Sequence, residues 1–386
     1  MATALQITSG TAQYNGRITP LLVLLCLMAS IGGVLFGYDL EVSGCLYISE
    51  MALRRHRGAL NIGFKAGVTI GVLSAYLTNY FTEKINGGWG WRISLTMAAV
   101  PASIITLSTF LLPETPNSLI QQSTDNHQKA KRVLHRIRGT INVEAELDDL
   151  IKASSTSKKM DSPFNKVIQR KHRPQFVMSI AIPVFQQMTG INVITFCAPL
   201  LFNSQGESIS LLSTVVTGVV GLSLISTSML VVDKLGRRSL FMLGGALILV
   251  PQLVVGGILA AKLSDEGGLS HGCAYLVLVL ICIYVAGFAL SWGPLGWLVP
   301  SEIYPLVFRS AGQSITVSMG FLLCFVVGQT FLAMLSHMKS GIFYFFGPWV
   351  AAMTAFVCFF LPETKNLPVE QMELVWREHW LWRRFV

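Results

Sequence analysis

Residues 340–366 read SGIFYFFGPWVAAMTAFVCFFLPETKN. From Ser340 to Pro362 there is no charged side chain, and a helix crossing ~30 Å of hydrocarbon needs about 20 such residues. The run then stops on Leu361-Pro362-Glu363-Thr364, with Asn366 beyond it. That stop recurs as Leu112-Pro113-Glu114-Thr115 with Asn117. A second element also occurs twice, Ser49-Glu50 with Arg57 and Ser301-Glu302 with Arg309. Two apolar runs separate the elements in each copy, so the sequence reads as two parallel repeats of membrane-crossing helices.

Outward from this stretch, comparable runs lie at 18–38, 59–82 (interrupted by Lys65), 93–112, 174–206, 208–232, 239–261, 271–301, 310–336 and 340–362. They predict an all-α polytopic membrane protein of nine spans. The composition agrees. The chain of 386 residues is 52% hydrophobic and 13% charged, against about 25% charged in soluble domains, and its mean hydropathy is +0.57. Soluble domains, disorder and a secreted disulfide framework are excluded. The net charge of +9 does not mark a nucleic-acid partner. The basic residues sit in short loops between apolar runs, which is how cytoplasmic loops are charged. The seven cysteines are scattered with no C-x-x-C among them, and there is no Walker-type Gly-Lys-Ser/Thr and no H-E-x-x-H. An enzyme, a metal site and a redox site are therefore not expected. The run 18–38 is too long for a secretory signal and lacks its basic flank and cleavage site.

The two halves are unequal. Four runs precede Ser301 in the second half, but only one precedes Ser49 in the first. A full first half would need three more spans, about one hundred residues. The loop Asp233-Lys234-Leu235-Gly236-Arg237-Arg238 has no first-half copy either. The chain reads as internally shortened near Gly44–Cys45. The expected organisation is an incomplete N-terminal helical half over 1–112, an amphipathic-helix linker over 113–173, a six-helix C-terminal half over 174–362, and a C-terminal helix over 363–386. Alternation of nine spans, with the basic loops inside, places the N-terminus outside the cytoplasm and the C-terminus within it.

Several stretches together resemble a known family. They are Gly32-Gly33 with Phe36-Gly37-Tyr38-Asp39, Pro113 to Leu119, Gln186-Gln187-Met188-Thr189-Gly190-Ile191-Asn192, Asp233 to Arg238, Gly293-Pro294-Leu295-Gly296-Trp297 with Pro300 to Pro305, and Pro362 to Lys365. In this order they resemble the sugar porter family of the major facilitator superfamily, and most closely the plant monosaccharide/proton symporters. The resemblance implies a major facilitator fold of twelve spans, of which this chain carries the first, the tail of the fourth, and the fifth to twelfth. It further implies a hexose or related monosaccharide as ligand, protons as the coupling ion with no other cofactor, and a plasma-membrane bilayer as the setting. It does not fix an oligomeric state.

A hexose has hydroxyls that donate and accept and C–H faces that are apolar. Amides suit the first because each offers donors and an acceptor, and an indole suits the second. Gln186, Gln187 and Asn192 are the candidate amides, with Gly190 and Pro183 loosening the helix between them; the alternative role is interhelical hydrogen bonding. Trp297 is the candidate stacking surface, or else an interfacial anchor. Asp39 ends the first span. The resemblance makes it the proton site, coupled to an Arg on the fourth span that this chain lacks; a solvated carboxylate at a helix end is the other reading. The resemblance also implies an ion-pair latch built from Glu50, Arg57, Glu114, Asp233, Arg237, Arg238, Glu302, Arg309 and Glu363.

Where the family has amides on its fifth, eighth and eleventh spans, this chain has Lys65, Gly221 and Gly320, and Cys197 replaces the usual Tyr. Each lost hydrogen bond to a sugar costs about 0.5–1.5 kcal/mol. A charge in a cavity for a neutral ligand must also be desolvated. Two functions follow as alternatives: a proton-coupled hexose symporter, or a shortened relative that binds sugar or a partner without transport.

Overall fold

The computed structural model describes residues 47–48, 51, 57–85, 89–97, 99–110, 113–123, 126–140, 143–158, 167–195, 207–263, 271–304, 309–338, 340–365 and 372–384. Regular structure among them is entirely helical. The elements are α1 (Arg57–Glu83), α2 (Gly90–Met97), α3 (Ala99–Thr109), α4 (Pro116–Gln122), α5 (His127–Arg138), α6 (Glu144–Lys158), α7 (Arg173–Met188), α8 (Glu207–Leu235), α9 (Arg237–Leu263), α10 (His271–Leu290), α11 (Trp292–Ile303), α12 (Arg309–Met338), α13 (Gly341–Phe360) and α14 (Met372–Glu378). Seven described segments are long and apolar enough to cross a membrane: Gly58–Glu83, Arg170–Thr195, Ser210–Leu235, Arg237–Ala261, Gly272–Ile303, Arg309–Phe331 and Gly341–Phe360. Of the other two expected spans, 93–112 is covered in its described part by α2 and α3, and 18–38 lies outside the described residues.

A continuous core joins α7 to α13 and takes in Ile62 and Ala66 of α1. α1 packs along α8, α9 lies between α10 and α13, and α7 runs beside α12. In hydrocarbon, helices approach through small residues, and α9 relies on this: a Cβ at Gly244 would lie 1.6 Å from Ser291 Oγ and 3.0 Å from the Gly287 carbonyl. The apolar side chains that face outward, such as Leu230, Val250, Tyr275 and Phe325, are exposed, as a lipid-facing surface requires.

The linker helices form a small layer of their own. Thr115 caps α4, its hydroxyl accepting from the Ser118 N–H, with Pro116 in the first turn where no intrahelical acceptor is needed. α5 buries Ala130, Leu134 and Ile137 on one stripe and ends on Gly139 in the left-handed region (φ 62°). Arg138 binds Glu146 through Nε and Nη2 and donates from Nη1 to the Met51 carbonyl at 2.7 Å, which ties the linker to the start of the first half. The Lys131 ammonium, donating to Glu144, holds that carboxyl below the usual carboxylate range. At the far end, the Trp382 and Trp380 indoles donate to the Phe360 and Phe359 carbonyls and satisfy the last turn of α13.

Candidate functional site

The motif Gln186 to Asn192 sits where the chain changes direction. α7 ends at Met188, Gly190 takes φ +80°, and residues 191–195 resume as helix. Only glycine fits: a Cβ there would lie 2.9 Å from the Phe346 ring. The break is held in place. The Thr189 hydroxyl donates to the Gln186 carbonyl at 2.8 Å, and the buried Tyr284 hydroxyl donates to the Thr189 carbonyl at 2.8 Å.

The break separates the roles of the amides. Gln186 is buried, donates to the Gly293 carbonyl at 3.1 Å, and packs its amide on Gly296, where a Cβ would come within 2.7 Å. It pins α7 to the Ser291 break between α10 and α11, the interhelical role that the sequence left open. Gln187 and Asn192 are half-buried and paired, Asn192 Nδ2 donating to Gln187 Oε1 at 3.0 Å. A second, longer contact runs from Asn192 Nδ2 to Cys324 Sγ at 3.7 Å. The pair leaves the Gln187 NH₂ and the Asn192 carbonyl without a partner among the described residues.

Trp297 projects from α11, its ring centroid 6.3 Å from that of Phe321 on α12. Lys65 of α1 brings its ammonium to 5.9 Å from the Trp297 centroid, within cation–π range. The first half therefore places a cation over the indole proposed for stacking. At the other departures, Gly221 faces Val285 and Thr69, and Gly320 faces Pro183, each at van der Waals distance. Cys197 lies outside the described residues.

The charged candidates gather at the α8–α9 turn. Arg237, nearly buried, binds Glu302 with two nitrogens, Nη2 to Oε1 at 2.9 Å and Nε to Oε2 at 3.2 Å, and meets Asp233 at 3.2 Å. Glu363 accepts from the N–H groups of Arg237 (2.8 Å) and Arg238 (3.1 Å), so it caps α9 from the end of α13. Gly236 (φ +90°) leaves room for that carboxylate, since a Cβ would lie 2.6 Å from Oε2. Arg238 reaches the Cys358 carbonyl.

Among the described residues Glu302 is engaged by Arg237 and Thr364, not by Arg309, which is buried at the start of α12. Glu114 accepts from Gln122 on its own linker helix at 3.0 Å. Asp39, Glu50 and the Arg57 side chain lie outside the described residues.

Gly58 was not singled out in the sequence. A Cβ there would lie 2.6 Å from Asp233 Oδ1 and 2.9 Å from Arg237 Nη2, so α1 rests directly on the ion pair. A glycine one residue after the repeated Arg was the available signal.

Comparison with known proteins places this architecture. The family described as "Sugar (and other) transporter" matches residues 42–376. Hexose carrier protein HEX6 of Ricinus communis is 49% identical over 497 aligned positions, covering 100% of this chain and 97% of that protein. An alignment of that length to a chain of 386 residues opens gaps in this chain. Sugar transport protein MST6 of Oryza sativa subsp. japonica is 53% identical over 382 positions, covering 97% of this chain and 71% of its own length. The solved structure of the proton:xylose symporter XylE bound to 6-bromo-6-deoxy-D-glucose superposes with a TM-score of 0.75 at 24% identity, covering 92% of this chain and 82% of XylE. These relatives are carriers, not enzymes. The chain belongs to the sugar transporter family and carries the major facilitator fold with an incomplete N-terminal half.

Proposed function

We propose that this chain binds a hexose at the plasma membrane, using Gln187 and Asn192 for hydroxyls and Trp297 for the C–H face, with Gln186 fixing the helix that presents them. The observation that carries this reading is the paired amide. After Asn192 donates to Gln187, one NH₂ and one carbonyl of the pair remain without a partner among the described residues, the donor and the acceptor that sugar hydroxyls need. The relatives named for hexose and sugar transport support the ligand class. In purified protein, glucose raises the melting temperature, and Gln187→Ala and Trp297→Ala each weaken apparent affinity about tenfold, equivalent to ~1.4 kcal/mol. Glucose stabilisation undiminished in both variants removes the assignment.

A second reading concerns coupling, and the Lys65 contact with Trp297 favours it. A cation beside the stacking ring must be desolvated when a neutral sugar fills the cavity, and alternating access rocks one complete repeat against the other. The chain is therefore expected to bind sugar without proton-driven accumulation. Labelled glucose concentrated above equilibrium in a transporter-deficient cell, and released by an uncoupler, contradicts this and restores Asp39 as a working proton site.

A further inference from the structure

Among the described residues, the ion-pair network leaves the buried Arg309 without a carboxylate. Arg309, the first residue of α12, is 4% exposed, and its Nε and Nη2 meet no hydrogen-bond partner among the described residues. The carboxylate of Glu302, seven residues earlier in the chain, is held on both oxygens by Arg237, with Thr364 also donating to it. One turn along the same stripe, Gln313 is 1% exposed with both amide atoms unpartnered; residues i and i+4 stand one above the other on a helix.

The facing element is α7. Tyr304 lies against Gly312 and accepts from the Ser179 hydroxyl while donating to the Gln175 carbonyl, which draws α7 against this end of α12. The buried Gln175 contributes a further unpartnered oxygen, Oε1. The first turn of α12 contains no acidic residue. It also presents N–H groups with no intrahelical acceptor and the positive end of the helix dipole.

A guanidinium taken out of water without a counter-charge is strongly disfavoured. The side-chain donors of Arg309 and Gln313 that lack a partner among the described residues, set at a helix start, call for an oxyanion. The unpartnered side-chain oxygen of Gln313 calls for a hydroxyl on that same anion. A phosphate that retains one P–OH supplies both; sulfate at neutral pH supplies only the first.

We propose that the Arg309–Gln313 face of α12 binds a singly protonated phosphate group, carried by free phosphate or by a phosphomonoester lipid headgroup such as that of phosphatidic acid. The site neutralises Arg309 without drawing Glu302 away from Arg237, and it is separate from the sugar-facing amides.

The test uses the full chain, purified in a neutral detergent and melted against increasing sodium phosphate, with sodium sulfate at matched ionic strength. A second arm compares phosphatidylcholine nanodiscs with and without phosphatidic acid. The expected result is a saturable rise of about 5 °C with phosphate over sulfate, or the same rise only in the phosphatidic acid arm, which assigns the lipid as the source. Arg309→Met abolishes the rise and melts no lower than the parent without phosphate, because it removes an unpaired charge. Gln313→Leu at least halves the rise and serves if the Arg309 variant does not fold. The proposal is overturned by a parent that responds in neither arm, by sulfate matching phosphate, or by variants that respond as the parent does.

Discussion

Arg237→Ala destabilises the folded bundle by about 3–5 kcal/mol, because it leaves the largely buried Glu302 carboxylate without its cation. Three carboxylates converge on this residue. Asp233 and Glu302 take the guanidinium and Glu363 takes the backbone N–H. Alanine keeps the last and loses the other two. Arg237→Lys recovers only part of the loss, since a point charge cannot meet both Glu302 oxygens as the planar fork does. Arg238→Ala is the internal control. It removes a single bond to the Cys358 carbonyl and costs about 1 kcal/mol. Thermal melting of the three purified variants in one detergent gives the order, and equal losses at positions 237 and 238 show that the network does not hold the turn. The Asp233 carboxylate and the Arg237 guanidinium also lie against Gly58, so removal of the Arg237 side chain loosens the seat of α1.

Gly244→Val has the next largest effect, about 3 kcal/mol. The new Cβ would stand 1.6 Å from Ser291 Oγ and 2.3 Å from Ser291 Cβ, with the Gly287 carbonyl behind them at 3.0 Å. Rotating the serine hydroxyl does not help, because its Cβ is also too close and its Oγ already donates to Gly287 at 2.7 Å. α9 must move away from the α10–α11 break. Ser291→Gly in the Gly244→Ala background removes both clashing atoms and recovers much of the smaller alanine loss. A double-mutant cycle reads that recovery as coupling; strictly additive losses place the clash elsewhere.

The spans were readable because hydrocarbon imposes one rule, about 20 apolar residues per crossing, and the runs at 59–82, 239–261 and 340–362 match α1, α9 and α13 closely. The incomplete first half was readable from repeated elements that need no structure to compare. The site was less legible. Nothing in the adjacent pair Gln186-Gln187 says which amide turns inward; that follows from Gly190 adopting φ +80° and Gly293 offering a carbonyl across the helix interface. The single run 271–301 concealed a break at Ser291, set by a backbone conformation (φ −128°, ψ −85°) rather than by hydropathy. The partner of Glu302 was ambiguous because Arg237 and Arg309 are equally cationic in sequence, and only the packing of α11 against α9 chooses between them. Tyr284 carried no signal at all, being one aromatic among many apolar neighbours until its hydroxyl met the broken turn.

The cap on α9 also sets an order of events during synthesis. Asp233 reaches Arg237 from one turn away, so that pair forms as soon as the turn emerges from the ribosome. The Glu302 carboxylate is translated 65 residues after Arg237, and the Glu363 carboxylate that receives its backbone N–H follows it by 126 residues. At roughly 5–20 residues per second the second interval lasts about 6–25 s. Throughout it the start of α9 depends on water and headgroups for its unpaired N–H groups. A ribosome that stalls or terminates before α13 therefore releases a bundle whose basic turn is still open, and this uncapped end is where quality-control proteases have a native-like chain to cut.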